Sequence, residues 1–529
     1  MPKNSVVLNY PFENFYEMIV SNAQQKATQK IILIDDEKIS NLEFLHQVDT
    51  FASYLQHIGV SQGDKVALIA PNSSEFLISV YATTKLGAVV VPINTLLKAN
   101  EYQYILNDAN AKVLITSNKY SKEVSNLHHE TPIENIVWID SDKDVNNDSI
   151  ELNKNSILFS HAMEFNRSEV IAIQKSSLDD LAIIFYTSGT TGQPKGAMLS
   201  YRNIFSNMIA GSERFDVTHK DRFIVYLPMF HAFTFSVMCM LPFYTNSSLV
   251  VIRNLMPFSN IIKQTLLKRV TVFLGVPDIY NALIRAKLPW YFLWFNSIRV
   301  FISGASALSE DTQEKFSKIF KRATMIEGYG LSECSPAVCC NLMNKQKLLS
   351  VGLPLKSYQM KIVDDELMEV PRGDVGEIIV KGDCVMLGYL NNDEATNKTI
   401  INGWLKTGDL AKMDEEGFVY IVDRIKDLII SKGVNIYPRQ IEEELNKLEF
   451  IKDSAVISQN DIHSGEVPIA FIELEDDVDN SLISEHSIKK KLKKNLANFK
   501  IPKTITILDE LPKNATGKCL KRVLKEEYK

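Results

Sequence analysis

The sequence predicts an α/β fold with a large N-terminal body and a smaller C-terminal unit. Short apolar runs at 66–70, 88–92 and 112–115 alternate with stretches of helical periodicity at 74–86 and 99–106. Apolar runs separated by helices are typical of strands in a sheet that is buried on both faces. The pattern recurs at 223–226 and 299–302. A chain of 529 residues is also too long for one core, which predicts at least two units.

The texture of the sequence changes near Tyr358, where short apolar runs separated by glycine turns begin. These runs predict a small β-barrel subdomain that closes a body of buried mixed sheets and helices. A short, charged segment of mixed strand and helix character follows Asp423, with one helix that should start at Pro438. We therefore predict an N-terminal domain over residues 1–425 and a small, mobile α+β C-terminal domain over residues 426–529.

Bulk composition excludes several classes of protein. With 45% hydrophobic and 23% charged residues, the chain is neither disordered nor fibrous. A net charge of -6 argues against nucleic-acid binding. The six cysteines show no metal-type or disulfide-type spacing, which fits a reducing cytoplasm. No apolar signal segment opens the chain, and prolines interrupt the uncharged stretch 223–252, so we expect a cytoplasmic protein without a bilayer span.

The most informative segment is TSGTTGQPKG at 187–196, directly after the apolar run 181–185. Glycines let backbone N–H groups converge on a polyanion, while the hydroxyls and Lys195 add donors and charge. The segment is not a Walker A loop, because Gly196 and not Ser or Thr follows Lys195. A flexible glycine turn is the alternative, but it does not account for so many hydroxyl groups. The segment predicts a phosphate-binding loop.

Further motifs follow this loop in a fixed order: PMFHAF at 228–233, SGAS at 303–306, GYGLSE at 328–333, TGD at 407–409, DRIKD at 423–427, SKGVNIYP at 431–438 and LPKNATGK at 511–518. Together they resemble the adenylate-forming superfamily of acyl-CoA synthetases, carrier-protein adenylation domains and beetle luciferases, over nearly the whole chain. Within it, the sequence resembles the AMP-forming fatty acid–CoA ligases. The resemblance implies an enzyme that converts a carboxylic acid and ATP to acyl-AMP and pyrophosphate, and then transfers the acyl group to CoA.

The resemblance also implies roles around the nucleotide. The loop would grip the β- and γ-phosphates of ATP. Residues 303–306 and 328–330 would form the adenine platform, with Tyr329 stacking on the base. Ser332 would contact the α-phosphate, and Glu333 would hold Mg²⁺ through hard oxygen donors. Asp409 would bind both ribose hydroxyls with help from Arg424. The implied ATP- and AMP-binding residues are Thr187, Ser188, Gly189, Thr190, Thr191, Gly192, Lys195, Gly304, Ala305, Ser306, Gly328, Tyr329, Gly330, Ser332, Asp409 and Arg424.

Two lysines are expected to separate the half-reactions. As the carboxylate attacks the α-phosphorus, charge builds on the surrounding oxygens, and Lys518 delivered from a mobile domain would stabilise it. Lys426 matches the hinge position of the resembled family, about which the C-terminal domain would rotate. The swing would withdraw Lys518 and present Ser431, Lys432 and Gly433 to CoA, with Gly433 leaving room for the thiol.

The segment 223–252, which lines the acyl pocket in the resembled family, contains no Asp, Glu, Lys or Arg. An amino-acid substrate would need a buried acid for its ammonium group, so an apolar acid is expected. His231, Phe233, Val272 and Gly275 should wall the pocket, with Gly275 leaving room for a tail. His231 joins Lys518 and Glu333 as a catalytic residue, with a packed structural histidine as the alternative. A fatty acid is preferred, and an aryl acid or transfer to a separate acyl carrier protein remain alternatives.

A last expectation concerns the membrane. Five of the eight residues at 288–295 are aromatic, and Trp and Tyr favour the bilayer interface. One interpretation is a peripheral contact with the inner membrane face; the preferred one is a buried helix packed on the body. The lysines at 489–494 should face water from an amphipathic helix whose apolar face carries Ile488, Leu492 and Leu496. Nothing in the sequence indicates which oligomeric state the protein adopts.

Overall fold

The computed structural model describes residues 8–124, 127–139, 155–165, 176–187, 193–253, 257–286, 288–306, 308–475, 478, 483–514 and 517–528. Sheets flanked by helices make up a large body, and a smaller unit of sheet and helix follows it. The predicted α/β class with a large N-terminal and a smaller C-terminal part is confirmed.

The α-helices are α1 (Phe15–Lys26), α2 (Asn41–His57), α3 (Ser74–Lys85), α4 (Ala99–Asp108), α5 (Ser121–Val124), α6 (Leu127–Glu130), α7 (Phe159–Met163), α8 (Tyr201–Arg214), α9 (Leu241–Tyr244), α10 (Phe258–Leu267), α11 (Pro277–Arg285), α12 (Trp290–Phe295), α13 (Glu310–Ile319), α14 (Asp393–Thr399), α15 (Pro438–Asn446), α16 (Glu485–Leu492) and α17 (Lys521–Glu527). Short 3₁₀ turns span Asn118–Tyr120, Ser332–Cys334, Ile425–Asp427 and Asn498–Lys500, and a π-helix spans Thr234–Met240.

The strands are β1 (Lys30–Ile34), β2 (Glu37–Ser40), β3 (Lys65–Ile69), β4 (Val89–Pro92), β5 (Ala111–Thr116), β6 (Asn135–Trp138), β7 (Ser156–Leu158), β8 (Leu181–Thr187), β9 (Lys195–Ser200), β10 (Arg222–Val225), β11 (Ser248–Val251), β12 (Val272–Gly275), β13 (Val300–Ser303), β14 (Thr324–Gly330), β15 (Ala337–Cys340), β16 (Leu353–Pro354), β17 (Gln359–Val363), β18 (Gly376–Lys381), β19 (Gly388–Tyr389), β20 (Ile400–Ile401), β21 (Trp404–Met413), β22 (Val419–Arg424), β23 (Ile429–Ser431), β24 (Val434–Ile436), β25 (Ile451–Asp461), β26 (Gly465–Leu474) and β27 (Ile505–Leu508).

Two large sheets form the body. The first has the order β19-β9-β8-β4-β3-β5-β6-β7 and is parallel from β8 to β7. The second has the order β16-β15-β14-β13-β12-β10-β11-β1-β2 and is parallel from β14 to β1. Every residue of β4, β11, β12 and β13 is buried, because helices cover both faces of these sheets. The apolar runs in the sequence therefore predicted the central strands correctly.

The remaining strands form two smaller sheets. Antiparallel strands β17, β18, β21 and β20, with β22 on β21, make the β subdomain at the end of the body. In the C-terminal unit the order is β24-β23-β26-β25, with β27 parallel to β26. The body's main core extends to Val419, and a separate core begins at Ile429. The boundary predicted at 425/426 falls between these cores and stays a prediction.

The preferred expectation of a buried helix at 288–295 is wrong for most of its side chains. Phe292 is buried against the core, but Trp290 and Trp294 are each 70% exposed and Phe295 is 67% exposed. The reason is geometric: a helix of six residues places its side chains all round its axis, and only one side of α12 meets the body.

The lysine-rich segment near the C-terminus behaves as predicted. It forms α16, on which Ile488 and Leu492 are buried while Lys490 and the following Lys493 and Lys494 are exposed. Among the residues that the structure describes, no helix is both long and apolar enough to cross a membrane.

Candidate active site

The predicted nucleotide residues meet where the parallel strands of the second sheet end. Ser303 ends β13, and Tyr329 lies near the end of β14, its neighbour. Asp409 and Arg424 approach from β21 and β22, where they stand directly opposite each other in register. Crevices at the carboxyl ends of parallel strands are the usual ligand sites of α/β sheets. The fold thus brings together residues that lie far apart in the sequence.

Asp409 is the centre of a buried polar cluster. It is 6% exposed, accepts a hydrogen bond from the Tyr329 hydroxyl at 2.6 Å, and lies 3.2 Å from the Arg424 guanidinium. Burial, with Asp409 beside it, raises the pKa of Tyr329, so the phenol stays a protonated donor. A carboxylate offers about four lone-pair positions, so Asp409 can accept ribose hydroxyls in addition to these contacts.

The glycines of the GYG segment are required by the close approach of β14 to its antiparallel partner β15. A Cβ at Gly330 would lie 1.9 Å from the Pro336 carbonyl oxygen, and one at Gly328 would lie 2.8 Å from the Cys340 sulfur. A methyl group at Gly330 would therefore force the two strands apart. This segment is a rigid platform beside Tyr329.

The SGAS segment packs against Phe233, a residue of the predicted acyl pocket. A Cβ at Gly304 would lie 2.5 Å from the Phe233 ring. The next residue, Ala305, has a φ of 68° in the left-handed region, which reverses the chain after β13. Ser306 is half-buried beyond this turn. The predicted adenine platform and the predicted acyl pocket thus share a wall.

The phosphate-binding loop joins β8 to β9. Thr187 and Lys195 are the last paired residues of these strands, so they hold the ends of the loop together. Ser188, Gly189, Thr190, Thr191 and Gly192 lie outside the described residues. The structure describes the base of the predicted loop and not its tip.

Two side chains contact Glu333 beside the base of the loop. Its Oε1 accepts a hydrogen bond from the Tyr389 hydroxyl at 3.0 Å and one from the Thr187 hydroxyl at 3.5 Å. The Lys195 ammonium lies 5.3 Å from the centre of the Tyr389 ring, within cation–π range. Sequence reasoning missed Tyr389, whose signal is the Gly-Tyr pair that forms the edge strand β19.

The surroundings of Glu333 fit the predicted Mg²⁺ ligand. Magnesium is usually held by one or two carboxylates together with phosphate oxygens and water. Within the described part of the chain, no group of three or more His, Cys, Asp and Glu side chains could hold a metal by itself. A single carboxylate beside the base of a phosphate loop suits a metal shared with ATP. Ser332 precedes it in the same 3₁₀ turn.

Lys518 of the C-terminal unit reaches this cleft. Burial, and after it the charge of the nearby Arg424, lower its pKa to about 7, while Asp409 acts in the opposite direction. The lysine sits on a tight turn in which the Lys518 N–H donates to the Asn514 side-chain oxygen at 2.9 Å. The carbonyl of Lys518 accepts from the Asn514 N–H at 2.9 Å. The turn presents one cation to the cluster around Asp409.

Asp278, at the start of α11 in the body, contacts this turn. Lys513 lies 3.5 Å from its carboxylate and 2.6 Å from Asp453. A Cβ at Gly517 would lie 2.8 Å from the Asp278 carboxylate oxygen, so the turn approaches α11 closely. Sequence reasoning missed Asp278 because nothing in its local pattern marks a contact with residues more than 200 positions away.

His231 is neutral near pH 7. Burial lowers its pKa to about 4, and the positive charge of Lys518 contributes in the same direction. Its Nδ1 accepts the Phe233 backbone N–H at 3.3 Å, which leaves the proton on Nε2. A neutral imidazole close to Lys518 can lie beside a reacting carboxylate without protonating it.

The predicted acyl-pocket wall is only partly as expected. Val272 is fully buried in the centre of the second sheet. At Gly275 the expectation of room for a tail is wrong. A Cβ there would lie 2.7 Å from the Tyr226 hydroxyl and 3.1 Å from the Tyr280 ring, so two phenol rings already fill the space.

A small cavity lies on the other side of β15, against the π-helix that follows Phe233. Its lining includes Met208, Val237, Leu241, Ala337, Cys340 and Leu355. Ala337 and Cys340 pair with Gly330 and Gly328, so the cavity is separated from the nucleotide platform by one pair of strands. π-Helices are rare and frequently occur at functional sites.

The predicted hinge and CoA residues lie on the far side of Arg424. Lys426 is in the 3₁₀ turn between β22 and β23. Ser431 ends β23, and Lys432 and Gly433 form the following hairpin turn with φ values of 50° and 77°. Within the described residues, a Cβ at Gly433 would meet no atom within 4 Å. Lys518 lies close enough to Arg424, Asp409 and Lys426 for their charges to interact.

Comparison with known proteins extends these observations to both parts of the chain. The family model described as AMP-binding enzyme matches residues 20–390, and that described as AMP-binding enzyme C-terminal domain matches residues 440–518. A long-chain-fatty-acid–CoA ligase of Bacillus subtilis (strain 168) is 32% identical over 541 residues, covering 98% of this chain and 95% of the relative. One of Escherichia coli O6:H1 (strain CFT073) is 29% identical over 548 residues, with the same coverage of 98% and 95%.

Among solved structures, that of the anthranilate CoA ligase AuaEII in complex with anthranoyl-AMP is similar over the whole fold. Its TM-score is 0.89 at 26% sequence identity, and the match covers 99% of this chain and 98% of that chain.

Proposed function

Because the chain belongs to the AMP-binding enzyme family, we propose that it is an ATP-dependent acid–thiol ligase that joins a fatty acid to CoA through an acyl-AMP intermediate. One observation carries the proposal. Lys518, from the C-terminal unit, lies close enough to Arg424, Asp409 and His231 for their charges to interact. A cation delivered to a nucleotide cluster from a second unit is what stabilises charge at the α-phosphorus.

In the first half-reaction a carboxylate oxygen attacks the α-phosphorus of ATP and pyrophosphate leaves. Asp409 and Arg424 hold the ribose, and Tyr329 stacks on the base. Lys518 stabilises the charge that develops on the oxygens around the α-phosphorus. Mg²⁺ held by Glu333 would neutralise phosphate charge. His231, neutral and held by the Phe233 N–H, orients the carboxylate without protonating it.

In the second half-reaction the CoA thiol attacks the acyl carbonyl carbon and AMP leaves. Lys518 is not needed for this step. We propose that the C-terminal unit, with its boundary at 425/426, rotates about Lys426 and brings the turn of Ser431, Lys432 and Gly433 to the cleft. The open space at Gly433 supports this role, since a thiol on a long arm must approach the adenylate closely.

A fatty acid is favoured as the substrate. The segment 223–252 carries no charged side chain, and the cavity beyond β15 is lined mainly by apolar groups. The Bacillus subtilis and Escherichia coli relatives carry the name long-chain-fatty-acid–CoA ligase. An acyl tail would leave the nucleotide platform past Phe233, and not through the filled space at Gly275.

An aryl acid is the second candidate. The anthranilate CoA ligase AuaEII carries anthranoyl-AMP, an aryl adenylate, in a fold of the same shape. The two phenol rings that fill the space at Gly275 would shorten the pocket on that side and favour a compact, flat acid.

A panel of acids separates these candidates. Purified protein with Mg²⁺, ATP and CoA should release AMP, pyrophosphate and an acyl-CoA with octanoate, dodecanoate or hexadecanoate, and far less with benzoate or anthranilate. Higher kcat/KM for the aryl acids would select the second candidate. Omitting CoA should leave acyl-AMP on the enzyme. Production of ADP and orthophosphate with every acid would contradict both.

A further inference from the structure

α12 exposes an aromatic surface that the proposed reaction does not use. Trp290, Tyr291, Trp294 and Phe295 all point away from the core, while Phe292 anchors the helix to the body. Arg322 donates to the carbonyl of Leu293 at 2.6 Å and to that of Trp294, and so fixes the end of the helix. A short, fixed helix with four outward aromatic rings is unusual on a water-facing surface.

A cavity of about 730 Å³ lies beside the same region of the body. Helix α10 packs against α12 and contributes Lys263 and Leu267 to the cavity wall, with Lys268 directly after it. Leu267 is 64% exposed. The cavity and the aromatic helix are thus connected by α10.

The cavity is strongly basic on a protein that is acidic overall. Six Lys or Arg side chains and two Asp side chains line it, a local charge of +4 in a chain whose net charge is -6. Within the described part of the chain, the exposed ammonium groups of Lys38, Lys220 and Lys263 have no carboxylate within ion-pair distance. Positive charge concentrated beside exposed Trp and Tyr is complementary to an anionic bilayer surface, where headgroups carry negative charge and indole rings are favoured.

The cavity begins at the amino edge of the second sheet, near which α12 lies, and extends along β1 to Asp35 and Asp36 in the turn after that strand. Lys30, Arg222 and Ser248 are the first residues of β1, β10 and β11, and α12 immediately precedes β13. The predicted nucleotide residues Ser303 and Tyr329 lie at the opposite, carboxyl edge. α12 and the first residues of β1, β10 and β11 therefore lie away from the predicted nucleotide residues.

We infer that α12 and the adjoining basic cavity form a docking surface for anionic phospholipid bilayers, with the aromatic rings at the interface and Lys38, Lys220 and Lys263 against the headgroup phosphates. The inference goes beyond the proposed reaction and is measured without turnover. Failure of catalysis with intact vesicle binding would therefore count against the proposed function alone.

The test is co-sedimentation of the full chain with vesicles of phosphatidylcholine alone or with about 30 mol% phosphatidylglycerol, an anionic lipid that gives the bilayer a negative surface potential. The wild type should bind the anionic vesicles and release at high salt, since salt screens exposed charges. Lys38→Glu/Lys220→Glu/Lys263→Glu should weaken this binding by about a hundredfold or more. Lys490→Glu/Lys493→Glu/Lys494→Glu changes the net charge equally on the C-terminal unit and should bind as the wild type does.

The aromatic half is tested with Trp290→Ala/Trp294→Ala, which should weaken binding about tenfold. Because both rings are 70% exposed, the variant should keep the circular dichroism spectrum of the wild type. Brominated lipids give a second readout on the unaltered protein: they should quench part of its tryptophan fluorescence. Equal binding to neutral and anionic vesicles, or unquenched fluorescence, would overturn the inference. The inference would also be overturned if inorganic phosphate released the protein from vesicles more than chloride of the same ionic strength did, while the tryptophan variant bound as the wild type does. The cavity would then be a site for free anions.

Discussion

The nucleotide platform and the turn that carries Lys518 are held in different ways. On the platform, backbone contacts at Gly330 and the buried hydrogen bond from Tyr329 to Asp409 leave little freedom. The Lys518 turn reaches the body through a few polar contacts, such as that of Lys513 with Asp278 at 3.5 Å. Partly exposed polar contacts contribute little free energy and can be exchanged. From this difference we expect the platform to act in both half-reactions, whereas the Lys518 turn should act in only one of them.

Removal of Lys518 should have the largest effect. Lys518→Ala should lower the rate of acyl-AMP formation by about a thousandfold, because the charge that stabilises the oxygens around the α-phosphorus is removed. Acyl-CoA formation from supplied acyl-AMP should stay within a few fold of the wild type. Pyrophosphate release and thioester formation are measured separately, with Lys503→Ala on the same unit as the control. Equal loss of both activities would contradict the division of roles.

A rigid hinge should have the opposite selectivity. Lys426→Pro fixes φ at the hinge and should leave acyl-AMP formation largely intact, while thioester formation falls about a hundredfold. Quenched-flow measurement of acyl-AMP and acyl-CoA within one turnover distinguishes the steps. Unimpaired thioester formation would place the hinge elsewhere.

A change in the platform should impair both half-reactions together. Asp409→Ala removes the carboxylate that meets Tyr329 and Arg424, and both steps should slow by about a hundredfold with weaker AMP binding. Asp414→Asn, on the hairpin that follows β21, breaks the Lys347 ion pair away from the cluster and is the control. Selective loss of one step would show that the platform is not shared.

Loss of the contact at α11 should be milder than loss of Lys518 itself. Asp278→Ala should slow acyl-AMP formation about tenfold and spare thioester formation, because the lysine is still present but less well placed. Asp311→Ala alters an equivalent first-turn acid on α13, distant from Lys513, and controls for helix stability. An unchanged ratio of the two activities would show that Asp278 does not position the turn.

Within one unit above pH 7, the pH dependence should give an effect of no more than about tenfold. With a pKa of about 7, Lys518 loses its proton as pH rises, and the protonated form is the active one. The kcat/KM of acyl-AMP formation should therefore fall about tenfold per pH unit above roughly pH 7. In Lys518→Arg, whose guanidinium stays charged, that fall should disappear even if the rate is lower. A fall of the same shape in both proteins would assign it to another group.

Much of the fold could be predicted because apolar runs and helical periodicity are local. β3, β4, β5 and α3 lie within a few residues of their predicted bounds. The resemblance to the adenylate-forming superfamily could be predicted because motifs such as GYGLSE and TGD are contiguous in sequence. The family match confirms it.

The remaining features depend on packing between distant segments. Tyr389 and Asp278 become visible only when β19 meets Glu333 and the Lys518 turn meets α11. The filled space at Gly275 is set by Tyr226 and Tyr280, which local sequence does not place there. The exposure of α12 was mispredicted for the same reason, since aromatic content does not show which side of a short helix meets the core.

The adenylate mechanism itself is tested most directly by oxygen transfer. A fatty acid labelled with ¹⁸O in both carboxylate oxygens is incubated with the wild type, Mg²⁺, ATP and CoA. Since a carboxylate oxygen becomes the bridge to the α-phosphorus and leaves with AMP, mass spectrometry should find one ¹⁸O in AMP and none in pyrophosphate. Label in orthophosphate alongside ADP would show attack at the γ-phosphorus, and would contradict the role given to Lys518 and to the platform around Asp409.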